Sequence, residues 1–546
     1  MPKSDLRIDI LGTSFSISAD EDSAYLESLL NHYRIKIENT RKKTGLQDPL
    51  KLAVVTGFLL CDDVQKAHRQ KAEGFRKNSP DQDEAERLTL DLITRIDEIL
   101  TVNEVEKQRL FKLENTVKHY PWGSAKWIPR LIGAANETGE PWAELWMGVH
   151  PDGPSLTESG GERLSLRTLI EREPARLLGK AVNSEFGGLP FLFKVLAAEK
   201  PLSVQAHPNI RQAREGWERE NRAGIPLSAP ERNYRDASHK PEILAALTPF
   251  RAMAGFREIP EILKILEFFG GTGGAGERLA VHPSAALREE LGRLRASLDT
   301  EGGFAAFLAA LFDMGKEARH DLGVYAAAQT PQLEQDYPEY SAEWRAVAYL
   351  SRLYPEDPAL IAPLYLNLLY LKPGEAVFIP AGVLHAYIEG LAVELMANSD
   401  NVLRGGLSSK HVDPAELARI LRRSPFKPEI LTPCIEEEGS AWAIYPAECR
   451  EFSLSRAQSE GETIVFSPDS PAIILINSGR AVLESPGGRE SLVLKQGESA
   501  FIADGTDLRL SGVFAAYAAT AGPAAAGGEA RTADSGQDGA APPGRQ

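Results

Sequence analysis

The hydrophobic pattern changes character repeatedly along the chain. Residues 7–17 (RIDILGTSFSI) alternate, with Ile8 and Ile10 before Gly12-Thr13 and Phe15 and Ile17 after it, which predicts a small β-hairpin. Ser18 to Asp22 supplies capping residues, and Tyr25, Leu26, Leu29, Leu30 and Tyr33 follow at helical spacing. A second helix is predicted through Leu52, Val55, Phe58, Leu59 and Val64. A third, charged one has Ala85, Leu92 and Ile99 stepping by seven with Leu88 and Ile96 between them, the seam of a short coiled coil. From Leu113 short apolar runs broken by Trp, Pro and Gly predict a β beginning, and PFLFKVLAAEKPLSVQAHP (190–208) predicts two strands around Lys200-Pro201. Between 256 and 360 the period is helical again: Ile259, Ile262, Leu263, Leu266 and Phe269, then Leu287, Leu291 and Leu294, then Phe304, Phe307, Leu308 and Leu311. KPGEAVFIPAGVLHAY (372–387) reads turn, strand, turn, strand, and predicts a hairpin with His385 just past its second corner. A short helix near 413–423 precedes strands over 428–520.

This order predicts a mainly β protein with α insertions. A small α+β module with a coiled-coil helix occupies 1–110. A first β domain, 111–255 and 361–427, is interrupted by a helical insert at 256–360. A second β domain spans 428–520. The tail, 521–546, is Ala-, Gly- and Pro-rich and cannot bury a core, so it is expected to be disordered. KPGEAVFIPAG (372–382) recurs as KQGESAFIADG (495–505), with Leu508 where the first copy has His385. Two similar β-barrels are expected, the second without that histidine.

Composition narrows the function. A chain of 546 residues exceeds a single core, and 43% hydrophobic with 25% charged residues is globular. A net charge of −16 argues against general nucleic-acid binding and leaves room for a local cationic pocket. The three cysteines, Cys61, Cys434 and Cys449, lack metal-type spacing, which suits a reducing compartment. MPKSDLRIDILG has no signal-peptide core and no apolar run reaches the ~18 residues of a membrane span. The expected location is cytoplasmic, with no membrane or nucleic-acid partner.

Gln205 and His207 stand at i and i+2, one face of a strand. Glu242 lies beside a proline turn in HKPEIL. With His385 they offer two nitrogens and two oxygens, a mixed set that suits Zn²⁺ and leaves a position open. Spacing alone does not separate this set from ordinary strand packing.

The phrases YPWGS, WAELWMGVHP, PFLFKVL, LSVQAHP, DASHKPEI, KPGEAVFIPAGVLHAY and NSDNVLRGGLSSKHV, in that order over roughly 112–520, resemble the type I mannose-6-phosphate isomerases. The resemblance implies a zinc-dependent enzyme of two cupin (jelly-roll) barrels that interconverts mannose 6-phosphate and fructose 6-phosphate by proton transfer through an enediolate. It implies one Zn²⁺ per chain, held by Gln205, His207, Glu242 and His385. Arg404 is the leading catalytic residue, with Lys240, His239, Asp400 and Glu394 as the acid/base candidates. Ser203, Lys194 and Lys410 are candidates for the phosphate, and Tyr387 and Trp122 for shaping the pocket. The chain departs from the family pattern at Ser238 and Ile243, usually Asn and Met, and at Ser408-Ser409, usually Thr-Pro; the ligands are spared.

RIDILGTSFSISADED and KKTGLQDPLKLAVVTGFLL, within residues 5–105, resemble the ZapA cell-division proteins. That resemblance implies self-association through residues 1–105 and binding to the division-ring tubulin homologue. It also motivates a competing reading, in which the barrels are a catalytically silent sugar-binding or scaffolding part of a division-linked protein. An iron-dependent cupin oxygenase would call for a His-rich ligand set, and Gln205 argues against it.

Overall fold

The alternating N-terminal segment forms the expected hairpin: Ser4–Ile10 pairs antiparallel with Thr13–Ala19, Ile8 opposite Phe15 and Leu6 opposite Ile17. The helix Ser23–Thr44 follows, burying Leu26 and Ile37 and exposing Tyr25, Leu29 and Ile35. A computed structural model describes residues 4–10, 13–19, 23–44, 108–271, 280–436 and 439–522, with Thr56, Leu59 and Leu60. Most of the second predicted helix, the heptad through Ala85, Leu92 and Ile99, and residues 523–546 therefore lie outside the described residues. The chain divides into two compact units, Met1–Lys107 and Gln108–Gln546.

The second unit is mainly β-sheet with helices. Its eleven-stranded sheet runs in the order Ile430–Leu431, Ala376–Ile379, Glu242–Ala246, His385–Ala397, Phe191–Ala198, Glu144–Met147, Thr116–Lys118. Phe250–Phe256 and Leu366–Leu371 branch from it, as do Gln205–Ala206 and Leu403–Arg404. The nine-stranded sheet runs Ala443–Ile444, Ser453–Glu460, Val513–Thr520, Ala472–Glu484, Ser499–Ile502, Leu110–Leu113. Neither path returns to its first strand, so the sheets are not closed barrels. Leu110–Leu113, at the start of the predicted first β segment, is an edge strand of the second sheet, paired with Ser499–Ile502.

Two sequence expectations are corrected here. The 372–387 stretch is not a hairpin. Ala376–Ile379 and His385–Ala397 both pair with Glu242–Ala246, which lies between them. The intervening strand comes from ~130 residues upstream, and local turn chemistry carries no record of it. The β beginning also contains helices, at Trp127–Ile132, Leu166–Arg172, Pro174–Phe186 and Ile210–Arg222. The last is strongly polar in composition and buries only Ala213, Gly216 and Glu220. Its signal was polar, a capping box in which the Asn209 and Gln212 side chains each accept from the other's backbone N–H at 2.9 Å.

The helical insert comprises Ile259–Gly270, Ala285–Leu298 and Gly303–Phe312, where the apolar spacing predicts helices, and Lys316–Asp336 and Ser341–Leu353 beyond them. Leu287, Leu291, Leu294, Phe307, Leu308 and Leu311 are buried together around Trp344. The Trp344 indole is fully enclosed and donates from Nε1 to Tyr337 O at 3.2 Å. Trp344→Ala is expected to destabilise the chain by about 3–5 kcal/mol, read as a lower urea midpoint. Among the described residues no helix is long and apolar enough to cross a membrane.

Candidate metal centre and cleft

The inserted strand brings the candidate ligands together. Glu242 faces Ile379 on one side and Met396 on the other, while Gln205 pairs with His385 and with Arg404. The Glu242 carboxylate sits between the two imidazoles, Oε1 at 3.3 Å from His207 Nε2 and Oε2 at 3.3 Å from His385 Nε2. All three side chains are buried. Gln205 Nε2 lies 3.4 Å from His385 Nε2, and a half turn of the amide exchanges its nitrogen and oxygen.

Hydrogen bonds on the far side of each ring fix the tautomers. His207 Nδ1 donates to Asn401 O at 2.7 Å and His385 Nδ1 to Val383 O at 3.0 Å. Each Nε2 is thereby turned toward the carboxylate, the atom that carries the lone pair when the ring is neutral. His207 Nε2 is buried without a hydrogen-bond partner. Burial, opposed by Glu242, takes the His207 imidazole down to about 4, so the ring is neutral at pH 7. Burial alone would raise the Glu242 carboxyl; Lys240 and His207 outweigh it and hold it well below the usual carboxylate range. Imidazole nitrogens turned on a carboxylate in this way form a donor set for a cation. Bonds of about 2.0–2.1 Å to a tetrahedral ion give ligand–ligand edges of about 3.3 Å, which is the separation found. The donor set fits Zn²⁺.

A cleft of about 1230 Å³ opens beside the centre. Of the residues singled out in the sequence, Gln205, Glu242, Lys240, Glu394, Asp400, Arg404, Ser203, Lys194, Lys410, Tyr387 and Trp122 line it. Lys240 Nζ is 3.1 Å from Glu242 Oε1, and Tyr387 OH donates to Glu242 Oε2 at 3.4 Å. Lys194 and Glu394 form a buried pair at 3.1 Å, with Glu144 at 3.9 Å from the same ammonium. Burial would lower the Lys194 ammonium; Glu144 and Glu394 outweigh it and push it up. Burial raises the Glu394 carboxyl despite Lys194. Asp400 accepts from His150 Nε2 at 3.1 Å, and that contact outweighs burial to keep its carboxyl low.

His239 is not brought to this cleft. Its Nε2 is 2.7 Å from Glu451 Oε1, and it lines a second cleft of about 910 Å³ together with Asp236 and Ser238. Adjacent residues of an extended segment point to opposite sides, so Lys240 enters the first cleft and His239 the second.

Arg235, Glu144, His150 and Asn401 join the site without having been singled out. Arg235 lines the cleft and is the charged neighbour of Arg404. Burial lowers the Arg404 guanidinium and the Lys410 ammonium, and neighbouring cations lower both further. Three cations held together in this way favour an anion. Asn401 is fully buried; its Oδ1 accepts from Arg235 N at 2.7 Å while its carbonyl holds His207. WAELWMGVHP, DASHKPEI and NSDNV contained or adjoined these residues, but nothing in their local spacing showed which would converge.

The internal repeat has a structural counterpart. In both turns a glutamate Oε2 accepts from the lysine N–H at 2.8 Å: Glu375 from Lys372, and Glu498 from Lys495. The turn glycines, Gly374 and Gly497, have φ of +89° and +79°. Ile379 pairs with Glu242 and the matching Ile502 with Ala472; His385 pairs with Gln205 and the matching Leu508 with Phe466. In the second sheet, apolar residues fill the positions of Glu242, His385 and Gln205.

Comparison with known proteins agrees with this geometry. Residues 110–259 match the family described as phosphomannose isomerase type I, catalytic domain, and residues 6–110 match cell division protein ZapA. A mannose-6-phosphate isomerase of Salmonella typhimurium is 42% identical over 405 residues, spanning 73% of this chain and 97% of the relative. One from Homo sapiens is 32% identical over 416 residues, spanning 72% and 93%. A crystal structure described as mannose 6-phosphate isomerase (holo; zinc bound) superposes with a TM-score of 0.67 at 37% identity, covering 76% of this chain and all of that one.

Proposed function

We propose, for a chain that belongs to the mannose-6-phosphate isomerase family, that it interconverts mannose 6-phosphate and fructose 6-phosphate with one Zn²⁺ held by Gln205, His207, Glu242 and His385. The observation that carries this reading is the pair of imidazole Nε2 atoms converging on the buried Glu242 carboxylate beside a cleft with three cations. When bound, the ion supplies Lewis acidity at a substrate oxygen, and the neutral Gln205 leaves it more positive charge than a second carboxylate would.

The chain's own groups divide the remaining work. Arg404, Lys410 and Arg235 take the phosphate, with Ser203 beside Val204 on the segment that carries Gln205. Binding a dianion relieves the repulsion among the three cations. Lys240 and Asp400 are the groups we assign to the proton that leaves C2 of mannose 6-phosphate and returns to C1. Lys194, Glu394 and Tyr387 form the support behind Glu242 and keep its carboxylate turned between the imidazoles. Trp122 closes one wall of the cleft.

We read the two sheets as cupin (jelly-roll) units, the first with the helical insert and the second without metal. The N-terminal module is assigned to self-association through residues 1–105 by a coiled-coil helix, and to a division-ring tubulin homologue as partner. The cytoplasm is the location that fits these roles. The test is direct. Purified full-length chain is expected to convert either sugar phosphate into the other, to lose that activity on dialysis against a chelator, and to regain it with zinc. Activity undiminished in the zinc-free chain would overturn the assignment.

A further inference from the structure

The helical insert reaches the cleft through Phe312, Arg319 and residues 354–358, and the last of these meet a turn that is under backbone strain. Among the described residues Leu407 is the non-glycine residue in the left-handed region, with φ +52°. A side chain with a Cβ is disfavoured there. Leu407 lies between Arg404 and Lys410. The strand register against Gln205 fixes Arg404, and Gly405 and Gly406 bond to Val204 through N–H to O at 2.6 Å and O to N–H at 3.0 Å. The direction the chain takes toward Lys410 is then set at Leu407.

Asp357, just past the insert's last long helix, meets this turn. Its Oδ2 accepts from Leu407 N at 2.7 Å and its Oδ1 from Ala359 N at 2.9 Å, with Ser408 N–H a third donor. The approach is close: a Cβ on Gly406 would stand 2.3 Å from Ala359 Cβ and 2.9 Å from Asp357 Oδ1. Three residues earlier, Tyr354 OH donates to Pro201 O at 3.0 Å, on the segment leading to Ser203. Asp357 and Tyr354 both line the cleft.

We propose that Asp357 is a positioning residue for anion recognition: by bonding Leu407 and Ser408 it holds the strained turn that sets Lys410 against Arg404, and through it the helical insert acts on the site. The inference rests on the phosphate role given above to Arg404 and Lys410. A carboxylate takes several backbone N–H donors at once, whereas an asparagine offers one oxygen and turns an NH₂ toward the other N–H groups.

The experiment uses zinc-loaded full-length protein and inorganic phosphate as the probe, titrated calorimetrically, with mannose 6-phosphate kinetics alongside. Asp357→Asn is expected to weaken phosphate binding about tenfold, to raise KM by a similar factor with kcat little changed, and to leave the zinc content at one per chain. The double variant Asp357→Asn/Leu407→Gly removes the penalty of the left-handed turn, and is expected to recover phosphate affinity to within about threefold of the unsubstituted chain. Unchanged phosphate affinity in Asp357→Asn, no recovery in the double variant, or loss of zinc together with phosphate affinity would each overturn the proposal. An unsubstituted chain that binds phosphate without turnover would sink the isomerase reading and leave the Asp357 inference standing.

Discussion

His385→Ala is expected to lower kcat/KM by about 10³–10⁴-fold and to leave the purified chain short of zinc. A Lewis acid at the reacting oxygen is worth several kcal/mol, and each 1.36 kcal/mol is a factor of ten. The imidazole is fully buried, its Nδ1 is tied to Val383 O, and its Nε2 faces Glu242 Oε2 and the Gln205 amide. Alanine leaves Glu242 and His207 as an incomplete shell. The internal repeat provides a control. Leu508 occupies the equivalent place in the second sheet and is equally enclosed. Leu508→Ala is expected to cost about 2–5 kcal/mol of stability by opening a cavity, with zinc per folded chain unchanged. Metal analysis and steady-state kinetics on both variants decide the matter. A His385→Ala chain with full zinc and full turnover would refute the ligand assignment.

Arg404→Ala is expected to reduce kcat/KM by about 10²–10³-fold, the loss that follows removal of a charged, bidentate partner of the substrate phosphate. Arg404 is anchored by antiparallel pairing to Gln205, so its guanidinium enters the cleft from the same local frame as that side chain. Its charged neighbour is another cation, Arg235, and burial adds to the cost of holding the two together. That arrangement is maintained against electrostatic repulsion and is relieved when an anion enters. Arg404→Lys is expected to restore little, because an ammonium cannot match two oxygens of a phosphate or carboxylate-like oxyanion at once. Stopped-time assays with both variants, at fixed zinc content, test this. Recovery to the unsubstituted rate in Arg404→Lys would show that charge alone suffices.

These residues could be named from sequence because the long motifs that hold them resemble a known family; their local spacing offered only a hint. Gln205 and His207 share a strand face, Glu242 follows a proline turn, and His385 follows a Gly-Pro corner. The start of the helical insert was legible from its residues, whose apolar positions recur at helical spacing from Ile259 to Leu311. The shape of the centre was not. The expected 372–387 hairpin is split by Glu242–Ala246, and that insertion is what puts the carboxylate between two imidazoles. His239, adjacent to Lys240, turns to Glu451 and the second cleft. Arg235 joins Arg404, although 169 positions separate them in the chain.

The sequence by itself determined the ligand types, the alternation of β and helical segments, and the loss of His385 from the repeated turn, since all of these are properties of residue identity and short period. Tertiary structure alone decided which strand lies between which, and therefore which charges meet. Antiparallel pairing depends on backbone hydrogen bonds that any residue except proline can make. It writes no signature at the paired positions, so the neighbours of Glu242 and Leu407 are known only once the chain has folded.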